Sequence, residues 1–130
     1  MTTVLVVDDA PEIRDLVMTF LIDEGFAVTA CGNAEEAMAR LLLSLPDLMI
    51  LDGRMPVMSG WQCLDVMRAS VRTARLPVVM LTAAIDDLQM GVRKPPDDCT
   101  TYLGKPFDID VLLAAIHRVI ATCNEQPVAV

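Results

Sequence analysis

Residues 3–9 read Thr-Val-Leu-Val-Val-Asp-Asp, an apolar and largely β-branched run that ends at two acidic side chains. A run without polar alternation is typical of a strand buried on both faces of a parallel sheet. The pattern returns at residues 48–52, where Leu-Met-Ile-Leu is closed by Asp52, and at residues 78–81, which are closed by Thr82. Buried strands that end on polar side chains predict a helix-covered sheet with those side chains at its carboxyl edge.

Apolar residues at helical spacing occupy the segments between these strands. Pro11 fits the first turn of a helix that Gly25 ends, and Asp108 caps a last helix. Cap-forming pairs open two more helices: Asn33 with Glu36, and Ser59 with Gln62. Further strands are predicted at residues 26–30 and 100–103. This alternation implies right-handed crossovers, so the predicted fold class is α/β, a doubly wound five-stranded parallel sheet with helices on both faces.

The helix predicted between the fourth and fifth strands has weak support. Residues 86–93 favour a helix, but Pro95 and Pro96 must end it, because proline lacks an amide donor and disfavours helical geometry in the residue before it. We therefore expect helix four to be short or irregular, and residues 86–98 to be irregular or mobile.

Length and charge limit the classes of function. The 130 residues fit one domain, placed at residues 1–123, with a tail at residues 124–130 that is expected to fray. A net charge of -8, from 18 acidic and 10 basic residues, repels nucleic acid and anionic membranes. The sequence contains no charged start followed by an apolar run, and no stretch of roughly 20 apolar residues. We therefore expect no direct nucleic-acid binding, no membrane insertion and a cytoplasmic location.

The four cysteines, Cys31, Cys63, Cys99 and Cys123, are far apart and form no C-x-x-C pair. With His117 as the single histidine, they do not make up a metal site of usual spacing. We expect reduced, buried thiols in a cytoplasmic protein.

Polar side chains stand at or just beyond the carboxyl ends of the predicted strands: Asp8, Asp9, Asp52, Thr82 and Lys105. Ligand sites in doubly wound sheets lie outside those ends, so these side chains should meet in one crevice. Two unit charges about 5 Å apart repel by roughly 3 kcal/mol at an effective dielectric of about 20, so three carboxylates need a cation. Oxygen donors open to solvent favour Mg²⁺, with Mn²⁺ as the alternative. The free coordination positions of such an ion suit phosphate oxygens, so phosphoryl transfer is predicted.

From Thr3 to Ile120 the chain resembles the receiver domain of two-component response regulators. The motifs that carry the resemblance are Asp8-Asp9, Asp52-x-x-Met55-Pro56 with Gly60 downstream, Thr82-Ala83, and Tyr102-x-x-Lys105-Pro106-Phe107. The resemblance implies a flavodoxin-like strand order of 2-1-3-4-5. It also implies that the domain is not an enzyme acting on another molecule: it phosphorylates itself from a phosphodonor, loses the group by autodephosphorylation, and switches its surface for signal output.

The resemblance further implies roles for the residues of the crevice. Asp52 would accept the phosphoryl group from a histidine kinase or a histidine phosphotransfer protein. Asp9, Asp52 and the Arg54 carbonyl would bind Mg²⁺ directly, and Asp8 would act through water.

The resemblance also implies how the phosphoryl group is held and sensed. Lys105 and Thr82 would bind it, and a cis peptide bond before Pro106 would direct Lys105 into the crevice. Movement of Thr82 would vacate space that the ring of Tyr102 could enter. Phosphorylation would thus shift the domain between two populations of conformations.

The chain departs from the family pattern between Thr82 and Tyr102. A fuller fourth helix and a Gly-Ala pair usually lie there, whereas this chain has Pro95-Pro96 and Asp98-Cys99. The departure affects a face that many receivers use for dimers and effectors. The sequence does not identify the downstream effector, and it leaves a homodimer open.

Two other functions would suit the same fold. A hydrolase of the haloacid dehalogenase type also pairs strand-end carboxylates with Mg²⁺, but it carries D-x-D, and Asp52-Gly53-Arg54 lacks the second acid. A phosphate-independent, receiver-like binding module would keep the fold without the chemistry. The presence of the acid pair, the acceptor, Thr82 and Lys105 disfavours that module.

Overall fold

The computed structural model describes residues 1–83 and 98–125. Within these ranges, short strands are connected by helices and loops. The strands are β1 (Thr3–Val7), β2 (Ala27–Cys31), β3 (Leu48–Asp52), β4 (Val78–Thr82) and β5 (Thr100–Gly104). The helices are α1 (Pro11–Asp23), α2 (Ala34–Leu43), α3 (Gly60–Ala69) and α4 (Ile109–Glu125).

The strands form one parallel sheet in the order β2-β1-β3-β4-β5, which confirms the predicted fold class and strand order. β3 and β4 are buried along their whole length, as their unbroken apolar runs predicted. Alternate side chains point to opposite faces, so Leu5 packs with α2 and α3, whereas Val6 packs with α1 and α4. Because all strands are parallel, their carboxyl ends lie at one edge.

The boundaries of the helices follow the predicted signals. α1 ends just before Gly25, whose φ of 94° is a conformation that glycine adopts without strain. Asn33 Oδ1 accepts the backbone N–H of Glu36 at 2.7 Å, which caps α2. Ser59 and Gln62 form a complete capping box at the start of α3.

Some predictions concern residues outside the described ranges. The helix predicted at residues 86–93 lies there, as do residues 126–130 of the tail and all but the last residue of the segment predicted to be irregular. α4 itself continues to Glu125, past the predicted domain boundary at residue 123. None of the helices in the described part of the chain is long and apolar enough to cross a membrane.

The cysteines correct the expectation of reduced thiols throughout. Cys99 and Cys123 form a disulfide, with their Cα atoms 4.5 Å apart. Cys99 directly precedes β5 and Cys123 lies near the end of α4, so the return of α4 along the sheet brings together two residues separated by 24 positions. Cys31 and Cys63 are free and buried, and burial raises the pKa of both thiols to about 11. Sequence spacing did not reveal the bonded pair because only the tertiary fold creates it.

The loop from β3 to α3 contains a non-glycine residue in the left-handed backbone region. Val57 has a φ of 70°, and its side chain is 96% exposed. For a β-branched residue this conformation costs roughly 1–2 kcal/mol. The loop holds this strain between the end of β3 at Asp52 and the capping box that opens α3.

Candidate functional site

Three carboxylates meet at the carboxyl edge of the sheet. Asp8 and Asp9 follow β1, and Asp52 ends the neighbouring strand β3. One oxygen from each residue lies within 4.8 Å of the other two. Asp8 is 1% exposed and Asp52 is 4% exposed, whereas Asp9 is open to solvent. The crevice therefore has two buried acids and a third acid at its rim.

Lys105 reaches this crevice from the loop after β5. Its Nζ lies 3.0 Å from Asp8 Oδ2 and 3.3 Å from Asp52 Oδ1. The backbone N–H of Lys105 donates to the Thr82 carbonyl at 2.9 Å. The peptide bond between Lys105 and Pro106 is cis, as the resemblance implies. The ammonium group therefore balances part of the charge of both buried acids.

Backbone amides orient the same two carboxylates. The Ala10 N–H donates to Asp8 Oδ1 at 2.9 Å, and the Arg54 N–H donates to Asp52 Oδ1 at 3.3 Å. Arg14 Nη1 also donates to the Asp8 carbonyl at 3.2 Å, a contact that sequence reasoning missed. The only signal for it was a basic residue in the first turns of α1, where most charged side chains simply face water.

The start of α3 packs against the backbone that follows β3. The Gly60 N–H donates to the Gly53 carbonyl at 3.1 Å. A Cβ added to Gly60 would lie only 1.8 Å from the Asp52 carbonyl oxygen. Trp61 covers Gly53, because a Cβ added there would lie 2.8 Å from the indole Nε1. The sequence placed Gly60 in a motif, but the steric reason for glycine is visible only in three dimensions.

Thr82 and Tyr102 lie on β4 and β5, on the side of β3 away from β1. Thr82 ends β4 and is 1% exposed. Tyr102 stands opposite Met80 in the register of the two strands, and it is half-buried. The Tyr102 ring meets Trp61 edge to face, with the ring centroids 5.4 Å apart. Tyr102 therefore contacts the helix that packs on the backbone of Asp52 and Gly53, a contact the sequence did not predict.

The electrostatics of the crevice favour a proton or a cation on Asp52. Burial, followed by the charge of Asp8, raises the pKa of Asp52 from 3.8 to about 6. The ammonium of Lys105 and the N–H of Arg54 lower it again, but they only partly offset that rise. An ionised Asp52 is therefore less stable in the folded protein than in the unfolded chain, as long as no metal is bound.

The raised pKa predicts how Asp52 affects stability across pH. The folded state keeps a proton on Asp52 that the unfolded chain has already released between pH 3.8 and about 6. The stability that this group contributes is therefore full at low pH and is lost as the pH rises through about 6. Without Mg²⁺, Asp52→Asn should be more stable than the wild type at neutral pH, by on the order of 1–2 kcal/mol, and this gain should vanish near pH 4.

Urea unfolding of both proteins in a chelator, repeated across this pH range, measures the difference. Asp23→Asn, at the exposed end of α1, is the matched control, because it removes a carboxylate that lies outside the crevice. Mg²⁺ should reverse the order of the two proteins, because only the wild type offers the full ligand set. A difference that stays constant with pH would contradict the prediction.

The donor set fits a small divalent cation. Carboxylate oxygens such as those of Asp8, Asp9 and Asp52 are hard ligands that Mg²⁺ and Mn²⁺ prefer. Asp9 is exposed, so water and phosphate oxygens can approach from the rim. Lys105 contacts the two buried acids from the loop after β5, and its ammonium can also form a charged hydrogen bond to a phosphate oxygen that enters the crevice.

The sequence matches the family described as response regulator receiver domain over residues 4–117. It is 40% identical over 126 residues to the response regulator Rre1 of Synechocystis sp. (strain ATCC 27184 / PCC 6803 / Kazusa), an alignment that covers 92% of this chain and 52% of Rre1. The chain thus spans about half the length of Rre1, and the same holds for other curated relatives that it matches.

Solved structures agree with the family match. The chemotaxis protein CheY4 of Vibrio cholerae superposes with a TM-score of 0.78 at 32% identity, over 92% of this chain and 98% of CheY4. The response regulator TrrA of Thermotoga maritima, solved in complex with Mg²⁺-BeF, gives a TM-score of 0.75 at 30% identity, over 92% of this chain and 99% of TrrA. With strand order, acid cluster and sequence all in agreement, the chain belongs to the response regulator receiver domain family.

Proposed function

We propose that Asp52 is the residue on which this receiver domain accepts its phosphoryl group. The observation that carries the proposal is the placement of Lys105 Nζ, which lies 3.0 Å from Asp8 and 3.3 Å from Asp52. A cation that contacts both buried acids can instead meet a phosphoryl oxygen once Asp52 carries that group. The Arg54 N–H and Lys105 Nζ both contact the same oxygen of Asp52, Oδ1, whereas Asp8 accepts through both of its oxygens, Oδ1 from Ala10 and Oδ2 from Lys105.

The reaction itself is a simple displacement. An Asp52 carboxylate oxygen forms a bond to phosphorus while the bond from phosphorus to the donor, a phosphohistidine nitrogen, breaks. The electron pair of that bond leaves with the imidazole, and the product is an acyl phosphate on Asp52. Hydrolysis later removes the phosphoryl group as inorganic phosphate and restores the Asp52 carboxylate. The domain therefore acts on itself and on no other substrate.

A divalent cation belongs to this proposal. We assign Mg²⁺, with Mn²⁺ as the alternative, to Asp8, Asp9, Asp52 and the Arg54 carbonyl, and the Mg²⁺-BeF complex of TrrA supports the assignment. Bound there, the ion would neutralise negative charge on the transferring group and on the acids. The protein contributes the position of Asp52, which the Arg54 N–H and Lys105 hold in place.

Thr82 and Tyr102 are proposed as the switch. Thr82 is buried at the end of β4, one strand away from Asp52, and its hydroxyl is the proposed donor to a phosphoryl oxygen. Tyr102 on β5 is the proposed responder. A shift between two populations of the domain would then alter the surface near β5.

The proposed partners follow from the family and from charge. A sensor histidine kinase or a histidine phosphotransfer protein would supply the phosphoryl group, and an effector would read the switch. The charge of -8 disfavours direct nucleic-acid binding by this domain. We place the receiver domain at residues 1–123 and propose a cytoplasmic location, with a homodimer as an open possibility.

Incubation with acetyl phosphate and Mg²⁺, followed by intact-mass measurement, tests the acceptor. The wild type should gain the mass of one phosphoryl group, Asp52→Asn should gain none, and the surface control Asp23→Asn should match the wild type. Chelation of the metal should abolish the gain. Equal gains in wild type and Asp52→Asn would remove Asp52 from its role, and no gain in the wild type would favour a phosphate-independent module.

A further inference from the structure

The chain contains a single tryptophan and a single tyrosine, and the structure places them in contact. Trp61 is 4% exposed and Tyr102 packs against the same core cluster. Their planes are inclined by 78° at a centroid distance of 5.4 Å, an edge-to-face geometry that aromatic pairs favour. The contact joins α3 to β5, two elements that approach each other only in the folded domain.

Trp61 also touches the backbone of the acceptor loop. Its Nε1, Cε2 and Cζ2 would lie 2.8, 3.0 and 3.3 Å from a Cβ on Gly53, so the indole rests directly on the residue after Asp52. The preceding residue, Gly60, is bonded through its N–H to the Gly53 carbonyl and sits against the Asp52 carbonyl oxygen. The side chain of Trp61 therefore cannot keep its place if the Asp52–Gly53 backbone moves.

We propose that Trp61 is a positioning residue that transmits the state of Asp52 to Tyr102. The indole fixes the Tyr102 ring while Asp52 carries no phosphoryl group. A shift of the Asp52–Gly53 backbone tilts the indole and frees the ring, so this path acts together with the proposed movement of Thr82. The inference rests on the proposed function and adds the regulation of the same site.

Because each ring is the only one of its kind, emission can be assigned to Trp61 in the wild type and to Tyr102 in variants without the indole. The test pairs Trp61 emission with intact mass during reaction with acetyl phosphate and Mg²⁺. Emission should change in step with the phosphorylated fraction and recover as the group is lost. Asp52→Asn should show no change beyond that caused by Mg²⁺ alone, and Tyr102→Ala should lose most of the change.

Two substitutions separate transmission from simple core packing. Trp61→Phe keeps an aromatic edge against Tyr102, whereas Trp61→Leu keeps only apolar bulk. Both remove the indole, so Tyr102 emission becomes visible. It should respond to phosphorylation in Trp61→Phe, whereas in Trp61→Leu the response should be lost, because the ring is already free before phosphorylation.

The outcomes distinguish this inference from the function on which it rests. Full phosphorylation by mass without a change in wild-type emission would overturn the inference and leave the acceptor role intact. Equal Tyr102 responses in Trp61→Phe and Trp61→Leu would overturn it as well. Absence of any mass gain in the wild type would remove the proposed function and this inference with it. The wild-type measurement needs no variant, so failure of Trp61→Leu to fold leaves the test in place.

Discussion

Gly60→Ala is expected to destabilise the domain by about 3 kcal/mol or more and to abolish phosphorylation. An added Cβ would lie 1.8 Å from the Asp52 carbonyl oxygen, 2.8 Å from its carbonyl carbon and 3.1 Å from Gly53 Cα. All three are backbone atoms, so no side chain can rotate away. α3 must instead separate from the acceptor loop, which breaks the hydrogen bond from Gly60 to the Gly53 carbonyl. Helix propensity alone predicts the opposite, a gain of up to about 1 kcal/mol.

Gly32→Ala is the matched control for this substitution. The Cβ there would meet only the Arg14 side chain, with Nη1 at 2.8 Å, and a guanidinium at the end of a long side chain can move, at the cost of its hydrogen bond to the Asp8 carbonyl. Its cost should therefore stay below about 1 kcal/mol, with phosphorylation retained. Urea unfolding and intact mass on both variants check the pair. A Gly60→Ala protein that is as stable as Gly32→Ala would show that α3 does not pack on Asp52 as described.

Reduction of the disulfide between Cys99 and Cys123 is expected to lower the free energy of unfolding by about 3 kcal/mol. The bond closes a loop of β5 and α4 with a sequence separation of 24, and it restricts the unfolded chain more than the folded one. The reduced protein should still fold. The Cys99 carbonyl accepts hydrogen bonds from the backbone N–H of Val78 at 2.8 Å and from Arg68 Nη2 at 3.0 Å. These two bonds do not depend on the disulfide, and they hold the start of β5 against β4 and α3.

Unfolding curves with and without a thiol reductant measure the effect of the disulfide. Cys99→Ser and Cys123→Ser should each be about as stable as the reduced wild type, and neither should respond to the reductant. Cys31→Ser and Cys63→Ser are the controls, because they remove free, buried thiols and should keep the full response. A thiol assay of the denatured, unreduced protein should detect two groups rather than four. An unchanged midpoint in reductant would contradict the prediction.

The sequence predicted the features that depend on local pattern and on strand order. Apolar runs closed by acids predicted β1 and β3, and the parallel topology places Asp8, Asp9 and Asp52 together, as the structure confirms. Lys105 was also expected in the crevice, and its Nζ lies there. The position of these residues in the crevice follows from the strands that they end or follow. It can be predicted without knowing how side chains pack.

The features that the sequence did not reveal depend on contacts across the fold. The bonded cysteines and the meeting of Trp61 with Tyr102 each join separate elements, and the fit of Gly60 against Asp52 depends on how the loop between β3 and α3 folds back. Trp61 lies on α3 and is buried, and its ring meets Tyr102 of β5. Helical periodicity tells which face is apolar but not which partner covers it.

Val57 is a position at which a substitution is expected to increase the stability of the domain. Its side chain is 96% exposed, so replacing it sacrifices almost no packing, and glycine or asparagine would fit the φ of 70° with less strain. Val57 lies in the loop between Asp52 and α3, so the same substitution changes the backbone that connects them. Thermal tolerance and phosphoryl lifetime would therefore be expected to change together in laboratory variants at this position.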